Sequence, residues 1–95
     1  MTEDKEMCKD VTMGDALALL KEGKKVARAG WNGKGMFLYY VPESTYPTMT
    51  DVAKAEFGEE VRYGAYVAMK TATGKVVPWL ASQTDLLAED WQLVK

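Results

Sequence analysis

Residues 62–80 commit this chain to an antiparallel sheet. Tyr63, Ala65, Val67 and Met69 occupy alternate positions of one run, Thr73-Gly74 marks a turn, and residues 75–80 form a returning run. A period of two puts one set of side chains on a single face of a strand. A three-residue loop at residues 72–74 sets Met69 opposite Val77 and Val67 opposite Trp79. That register keeps apolar partners together, and a two-residue loop does not. Pro78 cannot donate to a ladder, so the returning strand lies at an edge or ends there. A second pair of strand-like runs, residues 24–31 and 36–41, flanks Asn32-Gly33. Asn-Gly is the strongest short hairpin signal because both residues tolerate positive φ. Lys34-Gly35 leaves the length of this connection open by two residues.

Helices are announced by their caps. Thr12-Met13-Gly14-Asp15 reads as a capping box, with Thr12 as N-cap and the acid three residues on. The helix that follows should present Leu17, Leu20 and Met13 to a sheet and stop at Gly23. Ser82-Gln83-Thr84-Asp85 is a second box, opening a short helix through Leu86, Leu87 and Ala88. Residues 51–58 predict a third, capped by Thr50 or Asp51 and ended by Gly58. Pro42, Ser44, Pro47 and Thr48 predict a loop over residues 42–50, and Trp91-Gln92-Leu93-Val94 a last strand. The expected fold is α+β: a small single domain, an antiparallel sheet of hairpins with two or three short helices packed on it. Residues 1–10, polar and mixed in charge, read as a flexible N-terminal tail, and residues 11–95 as one ligand-binding domain. A chain of 95 residues has room for one core, adequate but not large.

Composition narrows the chemistry. The net charge of −2 argues against a general binder of DNA or RNA, which shows a basic excess. Between residues 21 and 35, however, Lys21, Lys24, Lys25, Arg28 and Lys34 stand against Glu22 alone. Two readings stay open there, a solvated basic face and a site for a small anion. Histidine is absent, which removes imidazole as base or metal ligand, and Cys8 is single, which excludes an intramolecular disulfide and a cysteine-based zinc site. No apolar run approaches the roughly 20 residues of a membrane span. The N-terminus lacks the pattern of a signal peptide, so the chain is expected in the cytoplasm. Asp85 and Glu89, spaced i, i+4 with Asp90 beside them, can in principle do acid–base work or hold Mg²⁺. The stronger reading makes Asp85 a cap residue and Glu89 a solvated surface charge, so no catalytic residue, metal ligand or cofactor is expected.

Two tryptophan cassettes remain, Gly30-Trp31-Asn32-Gly33-Lys34-Gly35-Met36 and Val77-Pro78-Trp79-Leu80-Ala81-Ser82-Gln83. Turns and caps need the small residues, but neither needs the indole. The rings either fill the core or stack on a planar ligand. In the second case Trp31 and Trp79 flank a base. Lys34 and Arg28 supply positive charge, while Asn32, Ser82, Gln83 and Asp85 supply polar contacts. The N–H groups near Gly33, near Gly35 and at the start of the Ser82 helix would meet phosphate or ribose oxygens.

The first cassette, with Gly14-Asp15-Ala16-Leu17 and Gly23-Lys24-Lys25-Val26-Ala27-Arg28 before it and Phe37-Leu38 after, resembles the N-terminal half of the phage anti-Thoeris sponge proteins, the Thoeris anti-defence two family. The second, with Asp85, Leu87, Ala88, Asp90 and Trp91, resembles the C-terminal half. The likeness covers roughly residues 12–94 and is weakest between Glu43 and Gly64. It implies a non-enzymatic phage protein in the cytoplasm of an infected or lysogenic bacterial host. Such proteins bind a cyclic nucleotide-derived immune signal, chiefly glycocyclic ADP-ribose of the 1''-3' type, so that the bacterial effector is never activated. It further implies a homo-oligomer, dimer or tetramer, with ligand sites between subunits, and in some members separate sites for cyclic dinucleotides. Trp31 and Trp79 match the family's stacking tryptophans. A phosphodiesterase or nucleosidase acting on such signals, and a protein-interaction module with exposed tryptophans, are the alternatives.

Overall fold

The computed structural model describes residues 9–31 and 34–95. Among these residues the chain forms three helices and seven strands, an α+β fold. In order they are α1 (Met13–Lys21), β1 (Lys25–Arg28), β2 (Phe37–Val41), β3 (Ser44–Pro47), α2 (Asp51–Phe57), β4 (Glu60–Tyr63), β5 (Tyr66–Lys70), β6 (Val76–Pro78), α3 (Gln83–Leu87) and β7 (Trp91–Val94). The main sheet has the order β6-β5-β2-β1-β7, every pair antiparallel, and β3 pairs with β4 in a separate ribbon. The register expected for residues 62–80 is observed. Met69 faces Val77, the Trp79 N–H donates to the Val67 carbonyl at 2.9 Å, and Pro78 ends an edge strand.

Both capping boxes form, at Thr12 with Asp15 and at Ser82 with Asp85. The first opens α1, which lies across β1, β2 and β7. Ala16 and Leu20 are fully buried there against Val26, Leu38 and Trp91, with Met13 and Leu19 packed at the margin. Leu17, expected in this stripe, is instead 39% exposed. The buried face is centred on positions 16 and 20, and position 17, about 100° round the helix from position 16, lies at its exposed edge. At the helix end Gly23 takes φ +89, the left-handed value that suits glycine. The strands expected at residues 24–31 and 36–41 are shorter than the runs that suggested them, and residues 29–36 connect them. The Asn32-Gly33 turn lies outside the described residues, as does most of the expected tail.

Residues 42–50 correct the sequence reading, because they contain a strand. Val41 faces Tyr66 at the end of the β2–β5 ladder, and Ser44 faces Tyr63 at the start of the β3–β4 ladder. The register is therefore unbroken across the gap, and β2-β3 with β4-β5 make one long two-stranded ribbon. Its ladder lapses where Pro42 lacks an N–H and Gly64 lies opposite Glu43. The outer half, closed by α2, is an arm. Thr50 caps α2 and Gly58 ends it, as expected. Thr48 is the arm's buried polar residue, its hydroxyl donating to the Gly58 carbonyl at 2.8 Å. Tyr46 and Tyr63 meet edge to face. Beyond marginal contact, β3, α2 and β4 pack on one another and not on the body. The molecule is accordingly long, 49 × 28 × 23 Å, with a radius of gyration of 15.8 Å, against about 12 Å for a compact chain of this length.

Candidate ligand site

The site grows from the place where β1 runs out. Arg28 faces Trp91 in the β1–β7 ladder, which sets Asp90 beside the turn that follows β1. Nε of Arg28 donates to Asp90 Oδ1 at 2.9 Å, and Nη1 donates to Asp85 Oδ1 at 3.0 Å. The other Asp90 oxygen accepts the Gly30 N–H at 3.0 Å, and the Asp90 carbonyl accepts the Ala29 N–H at 3.0 Å. A Cβ at position 30 would lie 3.2 Å from that carboxylate, so the close approach favours glycine. The second Asp85 oxygen accepts the Ser82 N–H at 3.1 Å, and the Ser82 hydroxyl accepts the Asp85 N–H at 3.0 Å. One guanidinium thus ties the end of β1 to the cap of α3 and to the turn before β7.

These ion pairs are mostly sheltered, with side-chain exposures of 19% for Arg28, 14% for Asp85 and 32% for Asp90. Burial alone pushes Asp85 up. Hydrogen bonds from the Ser82 backbone and from Arg28 outweigh it and hold the carboxyl below its usual range. Asp90 is held low chiefly by the Arg28 hydrogen bond, with help from the Gly30 N–H against a smaller effect of burial. Hydrogen bonds to Asp90 and then Asp85 raise the Arg28 guanidinium in turn. All three groups are fully ionised at neutral pH, and the cluster keeps one surplus negative charge.

Above this brace stand three indoles. Trp91 is fully buried, and its Nε1–H donates to the Asp85 carbonyl at 3.0 Å. Trp31 meets it edge to face at 5.5 Å between ring centroids and an interplanar angle of 79°. Trp79 does the same at 5.9 Å and 85°. The two outer rings, 48 residues apart in sequence, rest on one inner ring and remain half-buried. The core reading of the tryptophans is therefore realised in part, since each outer indole packs against the core while remaining partly exposed to solvent.

The fold gathers Trp31, Trp79, Arg28, Asp85 and Ser82 around this brace. Gln83 lies exposed in the first turn of α3 and Lys34 exposed in the β1–β2 connection, while Asn32 lies outside the described residues. The basic segment does not form one patch. Lys25 and Arg28 are three apart on a strand and so point to opposite faces, and Lys25 sits 4.9 Å over the Phe37 ring on the side away from α1. Helix α3 ends at Leu87, so Glu89 shares no helix face with Asp85. Sequence reading passed over Trp91 and Asp90 as site residues. Trp91 had its alternation with Leu93 as a core signal, whereas the Asp90 partners lie some 60 residues away and leave no local mark.

Among the described residues no helix is long and apolar enough to cross a membrane. Two comparisons with known proteins cover nearly the whole domain. A family model described as a Thoeris anti-defense 2-like domain matches residues 11–94. The protein named Thoeris anti-defense 2 of Bacillus phage SP01 is 40% identical over 84 residues, 88% of this chain and 94% of that protein.

Proposed function

Because the chain belongs to the Thoeris anti-defense 2-like family, we propose that it counters the bacterial Thoeris defence as a sponge. It binds a cyclic nucleotide-derived signal, glycocyclic ADP-ribose of the 1''-3' type, and holds it without turning it over. The observation that carries this reading is the pair of half-open indoles, Trp31 and Trp79, braced on buried Trp91. An adenine stacked on such a ring gains about 1–3 kcal/mol. A ring already fixed by its neighbour loses little freedom on binding. Lys34, Asn32, Ser82 and Gln83 stand next to the indoles in sequence and supply contacts to phosphate and ribose. Arg28 and Asp85 serve the site at one remove, since their charges are spent on each other and on Asp90.

The same brace supports a binding rather than a catalytic role. A carboxylate held below its usual range is a weak base and, at neutral pH, not an acid. Asp85 and Asp90 each have both oxygens engaged, and Glu89 stands apart on the surface. The protein acts as a homo-oligomer in the cytoplasm of the infected cell, where the signal is made.

A thermal-shift series with glycocyclic ADP-ribose, ADP-ribose and a cyclic dinucleotide tests the proposal, because a tight ligand raises the unfolding midpoint through linkage. The expected result is a shift with the cyclic signal and its recovery, chemically intact, after heat denaturation with or without Mg²⁺ or Mn²⁺. Linear or base-free products would instead identify a phosphodiesterase or nucleosidase. Indifference to every nucleotide would identify a protein-interaction module whose tryptophans are contact hot spots.

A further inference from the structure

Trp31 and Trp79 rest on the same inner ring but are held in place by different means. Trp79 directly follows edge strand β6, and its own N–H continues the ladder to the Val67 carbonyl at 2.9 Å. A bond of that kind comes with the sheet. Trp31 has left the sheet. Strand β1 ends at Arg28, and the Trp31 N–H turns back to the Arg28 carbonyl at 3.2 Å. The residues leading into it are tied to one position far along the chain. Asp90 takes the Ala29 N–H on its carbonyl and the Gly30 N–H on Oδ2, each at 3.0 Å, while its Oδ1 takes Nε of Arg28 at 2.9 Å. One aspartate thus fixes three consecutive residues, 28–30, immediately before the indole.

The residue after Asp90 is Trp91, on whose ring the Trp31 indole stands edge to face at 5.5 Å. Two neighbouring positions therefore set the outer tryptophan, residue 90 its backbone and residue 91 its ring. A carboxylate suits the first task because each of its oxygens accepts from a different donor. An amide has one accepting oxygen and would turn its NH₂ on the other donor. The sheet itself does not need this clamp, since β1 and β7 already pair from Lys25 with Val94 to Arg28 with Trp91.

We propose that Asp90 is the positioning residue of the site, acting on the ligand through Trp31 alone, while Trp79 is placed by the sheet. The two indoles then differ in kind, Trp79 a fixed wall and Trp31 a wall held by a latch. This inference rests on the reading of the two rings as the ligand's stacking surface. A stacked base is worth roughly 5- to 150-fold in affinity, and a ring free to swing forfeits part of that to ordering. Asp90→Asn is accordingly expected to weaken the binding of glycocyclic ADP-ribose about tenfold, measured by calorimetry without denaturant, where the variant is folded. Thr12→Ala, destabilised through the cap of α1 instead, is expected to bind as wild type does.

Circular dichroism tests the ring's pose without any ligand. Indoles held edge to face at this distance couple their excited states, which gives a paired positive and negative band that vanishes when one ring turns away. Trp79→Phe leaves the Trp31–Trp91 pair alone in the spectrum, and Trp31→Phe leaves the Trp79–Trp91 pair. Adding Asp90→Asn is expected to abolish the bands in the first background and spare them in the second. Bands that persist in the first, or are lost in both alike, would overturn the proposal. Should Asp90→Asn not fold, Gly30→Ala carries the same test, because it keeps every charge and sets a methyl group 3.2 Å from the carboxylate. The spectra also separate this role from the sponge reading. If wild type binds no glycocyclic ADP-ribose while the bands respond as expected, Asp90 positions Trp31 and the sponge is wrong. If Asp90→Asn binds as tightly as wild type with both pairs of bands intact, the sponge stands and the positioning role falls.

Discussion

Trp91 has no exposed area and donates its indole N–H to the Asp85 carbonyl. Trp91→Ala therefore opens a core cavity and is expected to cost about 3–5 kcal/mol, read as a lowered urea midpoint. Trp31→Ala and Trp79→Ala each give up one edge-on contact, worth about 0.5–1.5 kcal/mol beyond the apolar area the half-buried ring covers, and are expected to stay folded by circular dichroism while losing the thermal shift with nucleotide. If either outer variant unfolds, that ring is core alone. The aspartates behind the rings make stability depend on acid. Both are depressed in the folded chain, so their contribution is complete above the ordinary carboxylate pKa of about 4. It fades as pH falls through the lower folded values, where protonation releases Arg28. Asp90→Asn should accordingly be less stable than wild type at neutral pH, and the gap should narrow in urea titrations as pH falls below the ordinary carboxylate range. A constant gap would mean that Asp90 acts by shape and not by charge.

Elements differ in how far their stability is shared with the rest of the molecule. Thr12→Ala removes the box that starts α1, and because α1 covers the core, about 1 kcal/mol should be lost from global unfolding. Gly58→Ala is different. Position 58 has φ +87 and ψ −148, with open space where a Cβ would go, so the expected cost of about 1–3 kcal/mol is backbone strain alone. It falls on an arm that packs on itself, and hydrogen exchange should quicken across residues 44–63 while the amides of β1 and β7 keep their protection. Such local signals are also what made the sheet legible in the sequence. The capping residues, the Met69–Val77 register and the edge proline each act within a few positions of themselves. Strand β3 was hidden because Pro42, Ser44 and Pro47 are poor strand formers, and the facing ribbon holds them in a ladder. The tryptophans showed in the sequence as ring-plus-turn cassettes. Their floor did not, because Trp91 reaches Trp31 and Trp79 only through the folded sheet.

At the scale of the whole molecule, a small body with a projecting arm should be visible in solution. A single chain is expected to give a radius of gyration by X-ray scattering near 15.8 Å and not the roughly 12 Å of a sphere-like domain. A value near the lower figure would mean that the arm folds back. The ribbon that builds the arm also behaves as a ruler. From Phe37 opposite Lys70 out to Pro47 opposite Glu60, one count of residues serves both strands. An insertion in one strand alone has to bulge. One residue added to each strand carries the tip about 3.4 Å further and turns every outer side chain to the opposite face, and two added to each, about 7 Å, restore the facing. The reach of this arm can thus drift through generations of sequences only in paired steps, like a ratchet with a fixed tooth.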